Sequence, residues 1–215
     1  MKAAQPLTYL ALGDSYTIGE GVKQEDSYPY QLVNSLKHLS IEFQPPTIIA
    51  QTGWTTGELQ KEIERAGIGN NHYDLVTLLI GVNNQYRGES FLNYEIEFVQ
   101  LLDKAITFSN KNPKRVIVIS IPDWGVTPFA LEGNRNIKEV AAEIDRYNLA
   151  NKVIAEQKNV HYLDITKEYR KIGGMPSSLV SDQLHPSSAV YKTCAEKLKQ
   201  LLVTGMGFEA SSIHF

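Results

Sequence analysis

A serine near one end of the chain and an aspartate–histidine pair near the other have the types and placement that suit proton transfer and nucleophilic attack. Ser15 stands in Gly13-Asp14-Ser15-Tyr16-Thr17-Ile18-Gly19, directly behind a short apolar run. A hydroxyl there sits at the mouth of a sheet, where a glycine permits a tight turn and a backbone amide can face a substrate. Glycine- and serine-rich loops after a first strand also bind phosphates, but the chain contains neither G-x-G-x-x-G nor G-x-x-x-x-G-K-[ST]. G-x-S-x-G fails as well, because Thr17 stands where its second glycine belongs. The second group is Asp182-Gln183-Leu184-His185-Pro186. A carboxylate three residues before an imidazole can hold the ring in one tautomer and stabilise the imidazolium formed when the ring takes a proton from a hydroxyl. An isolated D-x-x-H reads as a turn with a half-exposed histidine. It gains weight because Ser15 and His185 can meet over one sheet edge.

Such a meeting needs a scaffold, and apolar runs alternate with amphipathic segments along the whole chain, the pattern of a parallel sheet with helices on its faces. Strands are predicted at Thr8 to Leu12, Thr47 to Ala50, Leu75 to Ile80, Val116 to Ile121 and Val160 to Ile165. Leu75 to Ile80 is apolar apart from Thr77, as suits a strand covered on both faces. Helices are predicted from Ser27 to His38 with Ser27 as cap, from Thr56 to Ala66 before Gly67, and from Phe91 onward, where Phe91, Tyr94, Phe98, Leu101, Leu102 and Ala105 share a face. Two more are predicted at Ile137 to Gln157 and Ser187 to Val203. The expected architecture is an α/β fold, a three-layer α/β/α sandwich around a five-stranded, mostly parallel sheet, with residues 1–215 forming one domain. Chemistry in such a sheet lies in loops beyond the carboxyl ends of the strands.

The 215 residues are 42% hydrophobic and 21% charged, an ordinary globular composition. A net charge of −3 gives no support to a nucleic-acid or polybasic membrane surface. The single cysteine, Cys194, excludes an internal disulfide and reads as a core residue of the last helix. The start, Met1 to Leu12, is interrupted by Gln5 and Pro6, and no run of about 18 apolar residues occurs, so neither a signal peptide nor a membrane span is expected and the chain reads as cytoplasmic.

Taken together these residues resemble the SGNH, or GDSL, hydrolases, named for four short blocks. Gly13-Asp14-Ser15 matches the first, Gly53 in Thr52-Gly53-Trp54-Thr55-Thr56 the second, Gly81-Val82-Asn83-Asn84 the third, and Asp182 with His185 the fourth, in the family's order. The resemblance implies a flavodoxin-like SGNH-hydrolase fold without a large cap, Ser15 as nucleophile, His185 as general base and then acid, and Asp182 as its partner. It also implies an oxyanion hole from the amides of Ser15 and Gly53 and the side chain of Asn83. Fixed donors of this kind stabilise the charge of a tetrahedral intermediate, one donor contributing roughly 3 kcal/mol. Asn84 departs from the G-x-N-D that many members carry, so a carboxylate that often braces this loop is absent.

Asp14, Trp54, Tyr86 and Trp124 are expected to face substrate, since they fall in loops at the carboxyl edge of the sheet, as does Phe129. Asp74, Asp123 and Asp164 read as strand-end or turn residues. His38, His72, His161 and His214 show no metal-ligand spacing, and neither a metal nor a cofactor is expected. The tail from Thr204 to Phe215 carries no recognisable site. The expected activity is hydrolysis of a small-molecule carboxylic ester, of the short-chain acyl, carbohydrate O-acetyl or lysophospholipid class, through an acyl-enzyme. Catalytically silent binding and flavodoxin-like nucleotide binding are the alternatives. The first leaves an intact Ser15, Asp182 and His185 unused, and the second leaves Asn83 and the Asp182/His185 pair without a purpose.

Overall fold

The structure, a computed structural model, describes residues 5–208. The readings made of Met1–Ala4, of His214 and of the end of the tail lie outside the described residues.

Five strands, β1 (Tyr9–Gly13), β2 (Thr47–Ala50), β3 (Leu75–Leu79), β4 (Val116–Ile119) and β5 (His161–Leu163), form one sheet in the order β2-β1-β3-β4-β5. Every pairing is parallel, with Leu12 opposite both Ile49 and Leu78. The three central strands β1, β3 and β4 are buried along their whole length, which is why their sequences are nearly unbroken apolar runs. Thr77, the exception in β3, is satisfied internally: its hydroxyl bonds the Tyr9 phenol at 2.8 Å and the Tyr28 phenol at 3.3 Å.

Connections alternate with helices α1 (Ser15–Ile18), α2 (Tyr28–Lys37), α3 (Thr56–Arg65), α4 (Val82–Tyr86), α5 (Phe91–Phe108), α6 (Pro128–Glu132), α7 (Ile137–Gln157), α8 (Thr166–Ile172) and α9 (Ser188–Gly205). α2 packs on α9 to form one outer layer, while α5 packs between α3 and α7 to form the other. The long predicted elements appear within a residue or two at most ends. The short helices α1, α4, α6 and α8 carry too few turns to show a period, and they are additions to the sequence reading. Among the described residues no helix is long and apolar enough to cross a membrane. Cys194 is buried in α9.

Local chemistry departs from expectation at Ser27 and at Gly13. Ser27 stands at the N-cap of α2, yet its hydroxyl donates back to the Gln24 carbonyl and caps nothing. Ser187 precedes α9 in the same way and donates to the Ser177 carbonyl. Gly13 is required by close approach and not by a turn: a Cβ there would lie 2.4 Å from the Leu79 carbonyl oxygen.

Because β1 has β2 on one side and β3 on the other, the chain changes direction across the sheet at β1. The crevice that opens there, beyond the carboxyl ends of β1 and β3, is where a doubly wound sheet binds ligands. Ser15 follows β1 by two residues and Asn83 follows β3 by four.

Candidate active site

Ser15 is the first residue of α1, where a backbone amide has no acceptor within its helix. Asp14 is its N-cap, and the Oδ1 of Asp14 accepts from the Tyr16 amide at 3.0 Å. This turns the Asp14 carboxyl inward. It is 0% exposed, and its Oδ2 has no partner. Burial pushes the Asp14 carboxyl up to about 7, against the opposing effect of the Tyr16 amide. The expectation that Asp14 faces substrate is thus corrected: a residue committed to capping the helix that starts at Ser15 cannot also reach the cleft.

The Asp182–His185 segment is a tight turn with Gln183 in the left-handed region at φ 58°. The turn folds the carboxylate under the ring. Asp182 Oδ2 lies 2.6 Å from His185 Nδ1, while Oδ1 accepts from the amides of Leu184 and His185, both at 2.9 Å. Burial works against the charge on Asp182, but the amides of His185 and Leu184 and the ring outweigh it and hold the carboxyl below its ordinary range. An ionised carboxylate can only accept, so Nδ1 carries a proton, and in the neutral ring the lone pair is then on Nε2. The turn is anchored by Val180 donating to the His185 carbonyl at 2.9 Å and by Phe129 donating to the Gln183 carbonyl at 3.3 Å. Ser15 and His185 line the same cleft without a hydrogen bond between them. Such contacts are often long before substrate binds.

Gly53 and Asn83 complete the polar floor of this cleft. Gly53 adopts φ 88°, and that conformation, not crowding, is what calls for glycine, since a Cβ would meet only an Arg87 nitrogen at 3.6 Å. Asn83 lies in the first turn of α4. One N–H of its amide donates to the Trp54 carbonyl at 2.9 Å, which leaves the second N–H free.

The walls are apolar: Val82, Tyr86, Trp124, Phe129 and Leu184 enclose a volume of about 160 Å³. Tyr86, Trp124 and Phe129 form a mutual aromatic cluster, with ring centroids 5.2 to 6.3 Å apart. Trp124 is oriented by its indole N–H, which donates to Gln85 Oε1 at 2.8 Å, while Gln85 Nε2 donates to Glu143 at 2.6 Å. Tyr86 and Trp124 line the cleft, whereas Trp54 does not. Trp54 packs half-buried against the core and lends the site only its carbonyl.

The contacts that Asn84, Arg87 and Glu58 make around the site went unread. Asn84 is buried and bridges loops: its Oδ1 accepts from the Thr56 amide at 3.1 Å, and its Nδ2 donates to Thr56 Oγ1 and to Glu89, both at 2.8 Å. Arg87 donates to the Gly53 carbonyl at 2.6 Å and to both Glu58 oxygens at 3.3 Å. Glu58 belongs to a capping box with Thr55, and that T-x-x-E signal was available in the sequence. Nothing in the sequence marked Arg87. The three carboxylates read as structural hold local contacts: Asp74 accepts from the Thr8 amide, Asp164 from that of Thr166, and buried Asp123 from that of Gly125 while it pairs with Arg170 at 2.7 Å. A larger groove of about 440 Å³ at the opposite sheet edge, beside Thr8, Gln44 and His72, shares no residue with this cleft.

Solved structures share this architecture. An acetylxylan esterase from Geobacillus stearothermophilus superposes with a TM-score of 0.69 at 20% identity, over 98% of each chain. A lipase/acylhydrolase from Enterococcus faecalis gives 0.66 at 17% identity, over 91% of this chain and 95% of that one. The esterase EstA from Pseudoalteromonas sp. gives 0.66 at 16%, over 89% and 93%. At such identities the likeness is one of fold. Comparison with curated protein sequences gives no match. All four motif-bearing loops fall inside residues 11–193, which match the model of the GDSL-like lipase/acylhydrolase family, and the chain belongs to that family of serine ester hydrolases.

Proposed function

We propose that the protein is a serine esterase that cleaves esters of short acyl groups through an acyl-enzyme on Ser15. The observation that carries this reading is the 2.6 Å contact between Asp182 and His185 Nδ1, on a cleft that Ser15, Gly53 and Asn83 share. His185 Nε2 takes the Ser15 proton as Oγ attacks the ester carbonyl, and the imidazolium so formed is stabilised by Asp182. The carbonyl oxygen becomes an oxyanion held by the amides of Ser15 and Gly53 and by the free N–H of Asn83. Collapse expels the alcohol, protonated by His185. Water, activated by the same ring, then releases the acid and restores Ser15.

The size of the cleft supports the acyl preference. An apolar cavity of about 150 Å³ holds a benzene-sized group, and the walls here enclose about 160 Å³. That volume suits an acyl chain of about two to six carbons and not the long chain of a lysophospholipid. A polar groove beyond Tyr86, lined by Gln85, Arg87, Asn136 and Glu139, favours a second reading in which the leaving group is a hydroxyl of a carbohydrate.

The test is a series of nitrophenyl esters of increasing chain length, run beside acetylated sugars and a lysophospholipid, with Ser15→Ala as control. Turnover that peaks at short chains and falls below about one part in a thousand in Ser15→Ala is expected. Higher residual turnover in Ser15→Ala removes Ser15 as nucleophile, and a peak at long chains removes the short-acyl preference.

A further inference from the structure

We propose that Arg87 is a positioning residue for this hydrolysis: held by Glu58, its guanidinium fixes the carbonyl of Gly53 and thereby the direction of the Gly53 amide in the cleft. The inference rests on the assignment of Gly53 and Asn83 to the oxyanion hole.

The loop between β2 and α3 does little to hold itself. Its internal tie is a single long bond, from the Trp54 amide to the Gln51 carbonyl at 3.3 Å. A glycine at φ 88° has more freedom than any other residue, so a donor mounted on it needs restraint from outside. Restraint comes on one side from the Thr52 hydroxyl, which donates to Glu20, and on the other from α4 and the residue that follows it. Asn83 holds the Trp54 carbonyl, and Asn84 holds both the amide and the hydroxyl of Thr56. Those bonds act beyond Gly53. Arg87 grips Gly53 itself, through a charge-assisted bond of 2.6 Å to its carbonyl.

Glu58 keeps the guanidinium in that orientation. Nη1 of Arg87 is shared between the two Glu58 oxygens at 3.3 Å, and Glu58 is in turn fixed by the Thr55 amide at 2.8 Å. The path from α4 through Arg87 and Glu58 to the start of α3 therefore closes around the Gly53 loop. Burial alone would raise the Glu58 carboxyl, but the Thr55 amide and Arg87 outweigh it and hold it below its ordinary range, so the pair stays charged at neutral pH. Both side chains are about two-fifths exposed, where an ion pair contributes little to folding. What distinguishes this pair is the carbonyl held by its other arm.

Arg87→Ala and Arg87→Lys are to be compared with Asn83→Ala on a short nitrophenyl ester, with active sites counted by a phosphonate titrant and melting temperatures recorded. In Arg87→Ala, kcat per titrated site is expected to fall about tenfold to a hundredfold with KM little changed, as when a catalytic donor is displaced. Affinity for an alkyl boronic acid, whose serine adduct carries a tetrahedral oxyanion, should fall by a similar factor while the melting temperature holds. Lysine can supply one bond but not the fork, so Arg87→Lys should lie between the two. Parental kcat in Arg87→Ala beside a loss of at least about a hundredfold in Asn83→Ala overturns the proposal and leaves the oxyanion hole standing. Parental kcat in both overturns the oxyanion assignment as well. A rise in KM alone overturns positioning, because it means that Arg87 touches the substrate.

Discussion

Asp14 shows what a residue's type does and does not disclose. Ser15 and the Asp182–His185 pair stood out by side-chain type, Gly53 and Asn83 only through the resemblance of the four motifs, and the structure brings all but Asp182 to one cleft, with Asp182 hydrogen-bonded to His185. The direction of a neighbouring side chain was not legible, because it depends on the residue at which a four-residue helix begins. Having become an N-cap, Asp14 is buried with a carboxyl that titrates near 7 instead of near 3.8. Between those values the folded chain binds more protons than the unfolded one, so stability is greatest below the lower value and falls as pH rises through the upper. Asp14→Asn keeps an acceptor for the Tyr16 amide and removes the ionisation. The variant's melting temperature should therefore decline less than the parent's from about pH 5 to about pH 8, as scanning fluorimetry would read. A slope equal to the parent's assigns the effect to another group.

The elements divide by length. Strands β1, β3 and β4 and helices α5 and α7 were legible because burial on two faces or one stripe leaves a long pattern in the sequence. α4 was not, because its five residues follow Gly81 directly and most of its work is polar. Its second asparagine accounts for the departure from G-x-N-D. Nδ2 of Asn84 donates to Glu89, 2.8 Å away, a contact that a carboxylate at this position would turn into like-charge repulsion. Asn84→Asp should therefore lower the melting temperature, and Glu89→Gln added to it should recover much of the loss, because the Gln amide can donate to the new carboxylate. The contact is buried at Asn84 and open to solvent at Glu89, so breaking it costs about 1 kcal/mol. A double-mutant cycle with no coupling between positions 84 and 89 would refute the pairing. The capping box at Thr55 and Glu58 was a signal that the sequence carried unread, and its second role, as the seat of Arg87, required the fold to bring α4 alongside.

At the scale of the whole molecule the sheet order decides where the cleft lies, and the segment after β4 decides how large it is. β1 and β3 deliver Ser15 and Asn83 to the switch point, while Trp124 and Phe129 close the far wall. Trp124 is 1% exposed and tied to Gln85, so truncating it would disturb the core. Phe129, on short helix α6, only partly contacts the core and is the wall that can be opened with less cost. Phe129→Ala removes a ring from a cavity of about 160 Å³ and leaves the Phe129 amide free to hold the Gln183 carbonyl, so the Asp182–His185 turn keeps its anchor. Loss of the ring should lower kcat/KM for acetyl and butyryl esters through weaker packing and raise it for longer chains, moving the optimum up by about two to four carbons at roughly 0.8 kcal/mol per buried methylene. The pH dependence of kcat/KM should stay as in the parent, since the hydrogen bonds of Asp182 and His185 are untouched. If the optimum stays in place while all esters slow equally, Phe129 supports the turn and does not bound the acyl pocket. The acyl chain would then have to run toward Tyr86 and the polar groove behind it.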